Sequence, residues 1–142
     1  INYGACPLNG GKQPYSQRNL LRKIITDADS CIALPHPGAT LRYGHDTMVM
    51  PLTCLMDLDG MGMQVSDLEQ LAYKGWNNYR IFPMACNIQF VFYHKKGSKD
   101  ILVKVLRNEN EATLPIKTDI APYYHWKDVR QYYLDKLNKF TE

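Results

Sequence analysis

Ala39-Thr40-Leu41-Arg42-Tyr43-Gly44-His45-Asp46-Thr47-Met48-Val49-Met50 joins two apolar segments through a polar His-Asp pair. The first half has the character of a short strand and the second of a helix start, with a sharp turn between them. Such a junction gathers polar side chains and free backbone N–H groups at one point, where an anion can be held. An imidazole beside a carboxyl there offers a cationic hydrogen-bond donor and a proton donor. That pairing suits phosphate-ester chemistry. No nucleophile accompanies it in these residues.

Upstream of this stretch, Leu20, Leu21, Ile24, Ile25, Ala28 and Ile32 recur at helical spacing, with Arg18, Arg22, Lys23 and Asp27 on the other face. The spacing predicts an amphipathic helix of about four turns, with Ser16 as its cap. Pro35-His36-Pro37-Gly38 stops it, and the first fifteen residues, holding Pro7, Gly10, Gly11 and Pro14, are expected to be irregular. A helix, a tight connection and a buried apolar strand imply a layered α/β unit. Because 39–44 is apolar on both faces, it is expected to want parallel neighbours.

Downstream, Thr47 to Leu58 predicts a helix, with Pro51 placed in its first turn because it has no N–H to give, and Asp59-Gly60 as its end. Ser66-Asp67-Leu68-Glu69 fits a capping box and predicts a short helix ending near Lys74-Gly75. Ile88, Phe90 and Phe92 then alternate with Gln89 and Tyr93, and Val103 and Val105 with Lys104. These period-two runs, Cys86–His94 and Asp100–Leu106, predict an antiparallel hairpin, with a short third strand at Glu111–Leu114. Trp126, Val129, Tyr133 and Leu137 predict a terminal helix.

At 142 residues the chain is one domain's worth or a piece of a larger one. Its first residue is Ile1 and no leader is visible, so a processed or interior origin is expected. No apolar run approaches the roughly 20 residues that a membrane helix needs. The net charge of +3, from 17 basic and 14 acidic residues, is too mild to argue for nucleic acid. Lys95, Lys96 and Lys99 share one turn, where solubility accounts for them. Cys6, Cys31, Cys54 and Cys86 are widely spaced with no C-x-x-C pair, which disfavours zinc. Whether they pair stays open.

Ala39 to Thr47 resembles the carboxy-terminal HD motif of the histidine acid phosphatases, the group that includes many phytases. Pro83-Met84-Ala85-Cys86-Asn87-Ile88 resembles that family's strand after the motif, and Ile101 to Asn108 its returning partner. The likeness runs from about Ser16 to the end of the chain. It implies a phosphoglycerate-mutase-like α/β fold, a mixed sheet with flanking helices and a C-terminal antiparallel hairpin, with residues 1–142 forming the carboxy-terminal part of one domain. It also implies cleavage of phosphate monoesters through a phosphohistidine, His45 binding phosphate and Asp46 protonating the leaving alkoxide, with no cofactor. The attacking histidine belongs to an R-H-G-x-R-x-P motif that is not among these residues: His36, His94 and His125 lack that context. The partner implied is therefore the missing amino-terminal half, or a second copy, beside a small phosphate-ester substrate. Family members are usually exported, which tilts the location to periplasm or outside the cell.

Plainer readings compete with each residue. Arg42 suits a substrate phosphate, but equally a surface ion pair. Thr47 suits a helix cap, with any phosphate contact made through its backbone. Tyr123, Tyr124, Tyr132, Tyr133 and Trp126 suggest a carbohydrate platform, yet their helical spacing favours core packing. Adjacent His and Asp also bind metal in HD-type phosphohydrolases, which are all-helical and need further His and Asp ligands. A third possibility is a non-catalytic fragment or interaction module.

Overall fold

A computed structural model of the protein describes residues 11–141. The expected irregular opening lies mostly outside the described residues. The apolar stripe upstream forms helix α1, Arg18–Ile32, and buries Leu21, Ile25 and Ala28. Ser16 does not cap it. Pro14 starts a 3-10 turn at Gln13–Gln17, so the chain is already turning before Ser16, and Gln17 holds the cap position without a side-chain bond.

Helix α2 spans Asp46–Met56, and from Pro51 to Met56 all of its residues are buried. A helix apolar all round belongs in the middle of the layers. Pro51 lies in the helix interior rather than its first turn. The helix begins one residue earlier than the apolar run, so the bond forgone is the one to the Thr47 carbonyl, at the exposed end. The short helix predicted from the Ser66 capping box to Lys74-Gly75 does not form, and the cap itself shifts by one residue. Asp67, with extended backbone, accepts the Glu69 N–H at 3.1 Å and opens a 3-10 turn at Leu68–Gln70. Turns carry the chain to Gly75, and a short helix α3, Asn78–Ile81, follows.

Strands β1, Ile88–His94, and β2, Ile101–Arg107, form the expected hairpin, in register from Ile88↔Arg107 to His94↔Ile101. On the far edge of β2 lie β3, Asn110–Glu111, shorter than expected, and β4, Tyr124–His125, both antiparallel. Helix α4, Trp126–Asn138, buries Trp126, Val129, Tyr133 and Leu137, the four residues that its spacing singles out. The fold is therefore α/β, an antiparallel hairpin sheet flanked by helices.

Helix α2 lies between two cores. One joins its Leu52, Leu55 and Met56 to Leu21 and Ile25 of α1, Val103 and Val105 of β2, and Val129 and Tyr133 of α4. The other joins Cys54 to Val65, Leu71, Trp76 and Ile81. Each such side chain, fully buried, contributes about 1.5–3 kcal/mol. After α2 the chain turns back so closely that a Cβ on Gly62 would stand 2.6 Å from the Cys54 carbonyl oxygen. Only glycine fits there.

The expected strand at 39–44 is also overturned. Residues 39–44 form no strand and are exposed, Leu41 at 72% and Tyr43 at 91%. A strand is a ladder of paired N–H and C=O groups. The described sheet draws its ladder from 88–94, 101–107, 110–111 and 124–125. No described strand lies beside 39–44 to pair with it.

Candidate functional site

The His45-Asp46 pair stands where extended chain enters α2. His45 is the cap residue, with φ −103° and ψ 161°, and its carbonyl accepts the N–H groups of Met48 at 2.9 Å and Val49 at 3.3 Å. Its imidazole makes no cap bond, which leaves the ring uncommitted to the helix. Asp46 is the first helical residue, and its Oδ1 accepts the Thr47 N–H at 2.9 Å. Both residues are exposed. Gly44 admits the Met48 side chain against the backbone: an added Cβ would lie 3.0 Å from the Met48 sulfur.

Two of the N–H groups that such a helix start normally leaves free are thus engaged, one by Asp46 itself and one by the His45 carbonyl. The residual positive end of the helix is worth about 0.3–1 kcal/mol to an anion. Thr47 is not the cap. It occupies the second helical position because the extended turn falls at His45.

Arg42 pairs with Asp27 of α1, whose carboxylate also takes Lys23 at 2.8 Å. The Lys23 hydrogen bond, more than Arg42 itself, holds Asp27 below the usual carboxylate range. The structure brings Arg42 to α1 and not to the His-Asp pair. Its ion-paired reading is the one realised.

The far end of α2 is clamped by α4. Tyr133 donates its hydroxyl to the Met56 carbonyl at 2.7 Å, and Lys136 donates its ammonium to the Leu55 carbonyl at 2.6 Å. A cation there complements the negative end of the helix. Burial holds the Lys136 ammonium below its ordinary value, and Asp57 and Cys54 oppose the shift. Asp57, in the left-handed region at φ 52°, ends the helix and accepts the Gly62 N–H at 2.7 Å. The outer end that bears His45 and Asp46 thus belongs to a helix whose other end is anchored in the core.

Cys86 was absent from the site expected on sequence. Burial first, and the Asp46 charge second, push its thiol up, so the turn ahead of β1 comes near Asp46. Thirty-nine residues of chain separate the two, and no local spacing signals the approach. Among the described residues, Cys31, Cys54 and Cys86 are free thiols. Cys54 is pushed to about 11 by burial, whereas Cys31 is exposed beside the Thr40 hydroxyl. Of the aromatic set, Tyr124, Trp126 and Tyr133 are core residues and form no platform. No three His, Cys, Asp or Glu side chains among the described residues converge so as to hold a metal ion. No described helix is long and apolar enough to cross a membrane.

No protein-family model matches the chain. It is similar to multiple inositol polyphosphate phosphatase 1 of Gallus gallus, 27% identical over 122 residues. The match covers 82% of this chain and 27% of that protein, so the chain spans about a quarter of its relative's length. The uncovered remainder of this chain is too short to reach the His-Asp junction from either end. The matched span therefore includes it.

Proposed function

We propose that the chain is the carboxy-terminal portion of a phosphomonoesterase of the histidine acid phosphatase type, acting through a phosphohistidine. His45 binds the phosphoryl group, Asp46 is the proton donor, and the nucleophilic histidine lies outside these residues. The observation that carries this reading is the solvent-open His45-Asp46 pair at the outer end of α2, a helix anchored in the core at its other end. The similarity to a protein named as a phosphatase supports it.

The chemistry assigns each group one task. Phosphoryl transfer is mostly positioning and charge stabilisation around three equatorial oxygens, and a protonated imidazole at position 45 supplies one donor. As the external histidine's nitrogen bonds to phosphorus and the P–O bond to the alkoxide breaks, Asp46 passes a proton to the departing alkoxide. In the second step its carboxylate takes a proton from the water that attacks the phosphohistidine, which restores the acid. Asp46 keeps its hold on the Thr47 N–H through Oδ1 while Oδ2 handles the proton. Arg42, tied to Asp27, is a substrate contact only if that pair opens, and Thr47 only through its backbone. The substrate is a small phosphate ester, with inositol polyphosphates the first to try, given the relative's name. A periplasmic or extracellular location fits the family resemblance.

The full-length protein is expected to hydrolyse an alkyl phosphate with a rate that falls as pH rises toward neutrality, because the departing alkoxide needs the donor's proton. This activity should persist in excess EDTA. An optimum above neutrality counts against Asp46 as the acid, and loss of activity in EDTA points instead to a metal phosphohydrolase.

The exposed Leu41 and Tyr43 support the partner reading, in which the missing half of the protein or a second copy lies beside 39–44. Exposed apolar residues on an unladdered extended segment invite strand pairing. The isolated 142-residue chain should self-associate or capture a separately supplied amino-terminal half in size-exclusion chromatography. A stable monomer that ignores the added half contradicts this.

A further inference from the structure

We propose that His125 is an acid-engaged staple: its imidazolium, gripped at both nitrogens by carboxylates, fastens the segment 115–123 to the hairpin and releases it as the medium turns alkaline. Nδ1 lies 2.8 Å from Asp100 Oδ2 and Nε2 lies 3.0 Å from Asp119 Oδ1. A neutral imidazole has one N–H and one lone pair. It satisfies one carboxylate and turns a lone pair on the other. Only the cation donates to both.

The three groups come from three places. Asp100 immediately precedes β2, His125 is on β4, and Asp119 lies in the segment between Leu114 and β4. Within that segment Thr118 donates to the Tyr123 carbonyl at 2.7 Å and Ile120 to the Thr118 hydroxyl at 3.3 Å, bonds that stay inside it. The histidine bridges the segment to the start of β2. Solvent reaches all three side chains, which are 27%, 44% and 76% exposed for His125, Asp100 and Asp119, so the proton exchanges freely.

Asp119 first, then Asp100, raises the proton affinity of His125 above that of an ordinary histidine, and His125 in turn lowers Asp119. The other charges close by along the chain are Lys99 beside Asp100, Lys117 two residues before Asp119, and Lys127 and Asp128 at the start of α4, all exposed. With the folded value above the unfolded one, the proton's contribution to stability is complete below the unfolded value. It is lost as pH rises through the folded value.

This inference does not depend on the phosphatase reading. The test is amide hydrogen exchange of the full-length protein by mass spectrometry from pH ~5 to ~8, the window in which a histidine titrates, corrected for intrinsic exchange. Protection of a peptide covering 116–124 should fall about two- to fivefold across that range, the scale of exposed ion pairs, while a β2 peptide keeps its protection. His125→Asn and Asp119→Asn should each remove the pH step. Protection that is flat with pH in the native protein, or a step that survives in both variants, overturns the staple.

Discussion

Asp46→Asn in the full-length protein should cut turnover of alkyl phosphates by about 10²–10⁴-fold, the usual worth of a positioned general acid, and spare aryl phosphates by comparison. An alkoxide is a poor leaving group and needs its proton as the P–O bond breaks. A phenolate with electron-withdrawing substituents leaves without one. The substitution isolates the proton because Asn has the same shape, and its Oδ1 can still accept the Thr47 N–H that Asp46 holds at 2.9 Å. Helix α2 should start where it does now. Circular dichroism and thermal unfolding would establish that the fold is unchanged, and paired kinetics on an alkyl and an aryl phosphate would give the ratio. Equal losses on the two substrates would sink the assignment of Asp46.

His45→Ala should lower kcat/KM by about 10²–10³-fold, comparable to deleting one donor from an oxyanion site, and should weaken competitive inhibition by inorganic phosphate. The two readouts should move together, because a donor to the phosphoryl oxygens acts in the bound ground state as well as in the transition state. Here again the local structure isolates the side chain. The carbonyl of residue 45, not its ring, closes the first turn through Met48 and Val49, and the ring makes no cap bond. Unchanged kcat/KM and unchanged phosphate inhibition would remove His45 from the site.

How much of this was legible beforehand depended on whether the signal was periodic. The α4 stripe Trp126, Val129, Tyr133 and Leu137 came through residue by residue, because a helix packed on one side repeats its requirement every turn. The hairpin came through for the same reason at period two, with Val103 and Val105 fully buried and Lys104 bonded outward to Glu111 at 3.2 Å. Single-residue signals fared worse. Ser16 and Ser66 were plausible caps that lost to a neighbour, since a cap is decided by which residue has non-helical backbone, a property of the turn rather than of the side chain. Segment 39–44 failed differently. Its composition called for a strand, but composition supplies no ladder partner, and none is present among the described residues.

The order of residues alone determined the three long helices α1, α2 and α4, the hairpin and the juxtaposition of His45 and Asp46, because these follow from neighbours along the chain and from local hydrophobic period. Tertiary structure decided what lies far apart in sequence. Tyr133 and Lys136 grip the Leu55–Met56 end of α2, Arg42 is claimed by Asp27, Cys86 comes near Asp46, and His125 is shared between Asp100 and Asp119. Such contacts leave no period to read. They arise from how buried faces stack, and only the folded chain brings those groups within hydrogen-bonding distance or range of one another's charge.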